Sequence, residues 1–289
     1  IAYMKTIKYF VQFLIIFILF FVFKVLGLKF ASYISGKIVS FIGPFFRSKN
    51  IIESNILKAL PYLNKSELKK ISKMMWHNYG RILAEYMFIK EFRMSKVKNN
   101  IEIIGQSKLN AIIESNEPVI FISGHFNNFE LMAMHLEKSG ISLAAVYRPL
   151  NNKFLNFIME IIRKKYICKN QIKKGISGTK QLLSFFKKKT SIALMIDQRV
   201  SEGVKSNFFQ HEAFTTTIPA QFVKKYKCKI VPIYIERTQG VNFTLTIHDP
   251  LEYSNSETIE TITLSLNILL EKMILKNPEQ WIWSHNRWK

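Results

Sequence analysis

Cysteine is nearly absent from this chain. Cys168 and Cys228 are the two in 289 residues; they form no Cys-x-x-Cys pair, and no His-Glu-x-x-His occurs. A disulfide framework and a structural zinc site are therefore not how the fold is held, and the thiol content suits a reducing compartment. Acidic residues are also scarce, 20 against 42 lysines and arginines, for a net charge of +22. That imbalance points to a polyanionic partner such as nucleic acid, an anionic membrane face, a phosphorylated lipid or an acidic carrier protein. No nucleic-acid module is present. The basic runs Lys69-Lys70, Lys164-Lys165, Lys173-Lys174, Lys187-Lys188-Lys189 and Lys224-Lys225 are lysines scattered between apolar helix positions. Such a pattern fits adhesion to anionic lipid, with no nucleic acid expected as partner. Low-complexity linkers and internal repeats are missing as well. Apolar material is plentiful: 48% hydrophobic and 13% aromatic content is ample for a core.

Much of it lies at the amino terminus. Tyr9 to Phe23 is interrupted only by Gln12, and continuation to Leu28 gives 20 residues, about 30 Å as a helix and enough to cross a bilayer. The run is long for a signal peptide and no small-x-small cleavage site follows it, so a membrane anchor is expected over 1–29. Lys5 and Lys8 precede the run, whereas Lys24, Lys29, Lys37, Arg47 and Lys49 follow it. The positive-inside bias places the body on the cytoplasmic side of a single-pass protein. Region 30–100 reads as helical. Ala31 to Phe46 suits a helix lying along the membrane or simply a second packed helix. Asn64 and Glu67 form a capping-box pattern ahead of Leu68, Ile71, Met75, Tyr79, Ile82, Leu83 and Tyr86 at helical spacing.

From residue 101 to 289 strands and helices alternate. Strands are expected at 101–104, 119–122, 141–147, 191–196, 229–235 and 241–247, with helices near 128–139, 151–165, 176–188, 218–227 and 257–275. The rhythm indicates an α/β domain with a mostly parallel central sheet flanked by helices. At its second strand stands Ser123-Gly124-His125-Phe126-Asn127-Asn128-Phe129-Glu130. His125 falls where a strand hands over to a helix, at the carboxyl end of the sheet, where open α/β folds place ligands. A nearby helix amino terminus would disfavour the imidazolium and keep His125 neutral near pH 7. Glu130, five positions on, is expected to reach back and orient the second ring nitrogen. On its own the motif also fits a capping or hydrogen-bonded structural histidine.

Further segments occur in a fixed order: Tyr147-Arg148-Pro149-Leu150-Asn151-Asn152, Ile196-Asp197-Gln198, Phe208-Phe209, Ala213-Phe214-Thr215-Thr216-Thr217, Val231-Pro232-Ile233, and Pro278 through Lys289 with three tryptophans. Together with His125 and Glu130 they resemble the late acyltransferases of lipid A biosynthesis, the lauroyl and myristoyl transferase family, over nearly the whole chain. The resemblance implies a glycerolipid-acyltransferase-like fold. It also implies transfer of a fatty acyl group from acyl carrier protein to a hydroxyl of a lipid A precursor, at the cytoplasmic face of a bacterial inner membrane. By it His125 and Glu130 are the catalytic pair. The chemistry needs a base for the hydroxyl proton and stabilisation of a tetrahedral oxyanion, and requires no metal or cofactor beyond the acyl donor. Arg148, at a strand end, and Arg163, in the following helix, are candidates to clamp a phosphate or the oxyanion. Asp197, at the end of an apolar strand, is a candidate to orient an arginine or a substrate group. Ser123 is the one nearby hydroxyl, and direct attack by the substrate is the simpler scheme. Ile196 stands where many relatives carry proline, and Arg199 where they carry an acid. Trp281, Trp283 and Trp288 read as packing or interfacial aromatics. Two alternatives remain at this point: a same-fold acyltransferase with a glycerophospholipid or other glycolipid acceptor, and a non-catalytic basic membrane-binding protein.

Overall fold

The computed structural model describes residues 2–94 and 100–289; 95–99, the end of the region expected to be helical, lie outside the described residues. The amino-terminal apolar run forms α1 (Ala2–Ile42), long and apolar enough to cross a membrane and mostly exposed from Met4 onward. The helix is broken at Gly27, whose φ of 75° and ψ of 161° lie in a region that only glycine enters without strain.

Beyond this break Ala31, Ser32, Ser35 and Gly36 are buried, facing α3 (Lys65–Glu85). The two helices approach closely because their facing residues are small: Ser35 Oγ donates to Gly80 O at 2.6 Å, and a Cβ on Gly80 would fall 2.2 Å from Ser35 O. Phe30, Phe41, Phe45 and Phe46 remain exposed. The 31–46 stretch is thus packed on one side and apolar on the other. Between α1 and α3 runs α2 (Lys49–Ala59), and the capping box of Asn64 and Glu67 starts α3 as its sequence indicates. A short α4 (Ile89–Arg93) follows.

The α/β unit comprises β1 (Ile101–Ile104), α5 (Gln106–Ser115), β2 (Ile120–Ser123), α6 (Glu130–Lys138), β3 (Leu143–Tyr147), α7 (Lys153–Tyr166), β4 (Asn170–Lys173), α8 (Ile176–Lys187), β5 (Ser191–Met195), β6 (Val204–Phe208), β7 (His211–Thr215), α9 (Ile218–Tyr226), β8 (Ile230–Gln239), β9 (Asn242–Ile247) and α10 (Ile259–Lys276). Among the described residues seven strands form one sheet in the order β1-β9-β8-β2-β5-β3-β4, parallel except for the β8–β9 pair. The expected mostly parallel, helix-flanked sheet is therefore the fold. Its central strand β2 is buried on both faces, as a continuous apolar run requires. The chain reaches β2 from the β1 side of the sheet and leaves toward β3 on the other. The carboxyl end of β2 thus lies at a point where connections diverge, the place where such sheets open a crevice.

Four elements were not read from the sequence. Among them, β4 is a polar edge strand with only Ile172 buried, and α5 is a short helix on the sheet. The β6–β7 hairpin turns through Phe209 and Gln210, both with positive φ (51° and 60°), a turn usually announced by Asn-Gly or Asp-Gly.

Candidate active site

Ser123 and Met195 are paired across the parallel β2 and β5 strands. His125 and Asp197 each lie two residues further on, so adjacent strands deliver them to the same level. Asp197 is fully buried and takes three donors: the His125 backbone N–H at 2.8 Å, His125 Nδ1 at 2.8 Å and Trp281 Nε1 at 2.8 Å. Burial alone would raise its pKa. The His125 charge and these hydrogen bonds outweigh that cost and hold the carboxyl at about 2. An ionised carboxylate only accepts, so Nδ1 carries the ring proton and Nε2 is the nitrogen left for a reacting partner. Gln198 Nε2 lies 3.5 Å from Nε2, and the Phe129 ring meets the imidazole edge-on at 4.9 Å.

The carboxylate that orients His125 is therefore Asp197, not Glu130. Glu130 opens α6, and Arg163 on α7 takes its side chain instead, with Nε and Nη2 both donating to Oε1 at 2.9 and 2.5 Å. Burial also fails to leave His125 with a depressed pKa. Desolvation disfavours the imidazolium, but Asp197, and more weakly Glu130, reverse it and raise the pKa above the ordinary value. The expected effect of a helix amino terminus is overridden by a buried carboxylate at hydrogen-bond distance.

Residues in two further elements hold the turn that carries His125. Asn127 sits at φ 41°, its backbone N–H donating to Gln280 O at 2.9 Å and its Nδ2 to Gln280 Oε1 at 2.7 Å. Asn128 Nδ2 donates to Glu85 Oε2 at 3.0 Å. Glu85, at the end of α3, is gripped in turn by both terminal nitrogens of Arg237, at 2.6 and 3.0 Å, and by Ser32 Oγ of α1 at 2.7 Å.

Two cavities meet beside this turn. The first, about 440 Å³, is lined by His125, Glu130, Arg148, Arg163, Lys174 and His285 among others. The second, about 430 Å³, is almost wholly apolar, walled by Phe13, Phe17 and Phe20 of α1, Ile82 and Tyr86 of α3, and Met159 of α7. Phe129, Glu130 and Arg163 line both, so the ion pair stands at their boundary. The five candidate residues are brought together in different capacities. His125, Glu130, Arg148 and Arg163 face the first cavity, and Asp197 lies behind His125. Arg163 is neutralised by Glu130 and is not a free clamp, whereas Arg148 is exposed and makes no ion pair among the described residues. Ser123 is buried and donates to Ile233 O at 2.7 Å. Trp281 is a partner of Asp197 from 84 positions away, a role that nothing in its local pattern announces, since a tryptophan there reads as packing. It packs too, against Trp283 at 4.6 Å.

The family model for bacterial lipid A biosynthesis acyltransferases matches residues 2–289. The chain belongs to that family. It is 22% identical over 251 residues to the lipid A biosynthesis lauroyltransferase of Escherichia coli K12, covering 84% of this chain and 79% of that one. It is also 22% identical over 265 residues to the palmitoleoyltransferase of the same organism, covering 89% and 84%. A crystal structure of the 1-acyl-sn-glycerophosphate acyltransferase of Thermotoga maritima aligns over 92% of this family member and 97% of that chain, with a TM-score of 0.42 and 11% identity.

Proposed function

We propose that this family member transfers a fatty acyl group from an acyl-carrier-protein thioester to a hydroxyl of a lipid A precursor, at the cytoplasmic face of a bacterial inner membrane to which α1 anchors it. The observation that carries the reading is the His125–Asp197 pair: His125 lines a cavity that shares Phe129, Glu130 and Arg163 with an apolar one of about 430 Å³. Nε2 takes the proton of the acceptor hydroxyl as the oxygen attacks the thioester carbonyl. The tetrahedral adduct collapses with loss of the thiolate, which receives the proton back from the imidazolium. Asp197 stabilises the imidazolium formed in between.

The apolar cavity fits an acyl chain. Its wall along α7 runs from Arg163, at the polar boundary, back to Leu155, about 12 Å at 1.5 Å per residue. Glu130 sits at the boundary as the partner of Arg163, which keeps a half-buried guanidinium neutralised next to the apolar wall. Arg148 and Lys174, exposed at the polar cavity, suit phosphate groups of the precursor or of the carrier's prosthetic arm. The +22 charge favours both an acidic carrier and anionic membrane lipid.

Membranes containing the protein are incubated with a lipid A precursor and a set of acyl-carrier-protein thioesters, and the lipid is read by mass spectrometry. Wild type adds one acyl mass and His125→Ala loses at least about 10²-fold in rate. No added mass with any donor rules out the assignment, and an active His125→Ala protein removes His125 as the base.

A further inference from the structure

His285 lies on the carboxy-terminal segment that crosses the site. Its ring lines the same cavity as His125, and its Nε2 accepts the backbone N–H of Arg199 at 3.1 Å. A backbone N–H can only donate, so Nε2 is unprotonated and the hydrogen of the neutral ring is on Nδ1. Burial, opposed by Asp197 and helped by the nearby His125, Arg287 and Arg47, lowers the pKa to about 4, so the neutral form prevails at physiological pH.

Nδ1 has no protein partner among the described residues and is not among the fully buried polar atoms left unpaired, so it keeps some exposure on a half-buried ring. The segment that carries the ring is also held in place. Asn55 Nδ2 of α2 donates to His285 O at 2.8 Å, Arg47 Nε donates to Ser284 O at 3.0 Å, and Tyr79 OH meets Ser284 Oγ at 3.1 Å.

Acyl transfer needs a donor fixed in advance where the carbonyl oxygen gains charge. Arg163 is committed to Glu130, while Arg148 and Lys174 are exposed and mobile by nature of their long side chains. We propose that His285 is a further catalytic residue, donating Nδ1–H to the carbonyl oxygen of the acyl group under attack, with the Arg199 N–H fixing the tautomer that makes it a donor. The inference rests on the acyl-transfer reading of the His125 site.

Two variants separate this role from simple support of the Arg199 loop. The amide of His285→Gln reaches as far as Nε2 and can still accept from Arg199, but offers no donor at Nδ1. The amide of His285→Asn reaches only as far as Nδ1, keeping the donor and losing the anchor. Full-length proteins are assayed beside wild type and His125→Ala with an acyl-carrier-protein thioester and lipid A precursor. The expected result is a fall in kcat of about 10²-fold for His285→Gln, within the range for loss of one oxyanion donor, with KM and the acid limb of the pH profile unchanged. His285→Asn should stay within about tenfold of wild type. A His285→Gln protein at the wild-type rate, equal losses in the two variants, or a displaced acid limb would overturn the role while leaving the acyl-transfer reading intact. Absence of transfer by wild type would overturn both.

Discussion

At the scale of single residues, the buried Asp197 carboxylate sets the proton inventory of the site. It raises the His125 pKa, so the basic form of Nε2 is gained only as pH rises through a value above the ordinary histidine range. Transfer should therefore show an acid limb displaced upward. In Asp197→Asn the charge is gone, the His125 pKa falls, and the acid limb should move to lower pH. The maximal rate should fall as well, by about 10²-fold or more, because the tautomer is no longer enforced. A pH–rate profile of the two proteins decides this, and an unmoved limb would separate Asp197 from the titrating base. This pairing was half legible in the sequence. The strand ends at Ile122 and Ile196 were readable from apolar runs, and both His125 and Asp197 stood out as polar residues just past them. Which strands are neighbours was not readable, because β2 and β5 come together only through the order of the whole sheet. The five-residue spacing to Glu130 therefore looked like the contact, while the actual partner lay 72 residues away.

At the scale of elements, α1 is at once a helix long and apolar enough to cross a membrane and a part of the site. Its portion before Gly27 supplies one wall of the apolar cavity through Phe13, Ile16, Phe17 and Phe20, and Asn152, the cap of α7, donates to Tyr9 O at 2.8 Å. Its portion after Gly27 is locked on α3. The break therefore decides whether the wall and the catalytic turn face each other. Gly27→Ala should cost about 1–3 kcal/mol if the bend persists, or relieve that strain by straightening the helix. Either way the expected outcome is reduced transfer of long acyl chains, with short-chain thioesters less affected. A panel of donor lengths tests it, and a uniform change across lengths would detach the wall from chain accommodation. The helix itself was plain from composition. Its bend was hidden, since one glycine in an apolar run is ordinary and only the packing of Ser35 on Gly80 shows which side must turn inward. The β6–β7 hairpin escaped notice for a related reason: its turn residues, Phe209 and Gln210, owe their positive φ to tertiary contacts, among them Phe209 N–H donating to Glu271 Oε1 at 2.7 Å.

At the scale of the whole molecule, acid is the condition to which the fold should be sensitive. His77 of α3, close to Gly36 of α1, has its pKa lowered from 6.5 to about 4 by burial and then by Arg81, Lys37 and Arg237, with Glu85 opposing. A histidine with a folded-state pKa below its unfolded one binds fewer protons when folded. Its neutral form thus permits full stability above about pH 6.5, and stability is lost as pH falls toward 4. The melting temperature in detergent should drop between pH 7 and pH 5, and more gently in His77→Gln. Equal slopes would show that His77 is not coupled to the packing of α1 on α3.

The crossing of the site by the last stretch of chain also fixes when the protein becomes competent. Trp281 completes the set of donors around Asp197, and Gln280 holds the turn at Asn127. Both are translated more than 150 residues after His125. At ribosomal speeds of about 5–20 residues per second α1 has been made for roughly ten seconds or more before the base can be aligned. The nascent chain is thus an inert polypeptide until these residues have folded back across the site, and chemistry cannot begin before then.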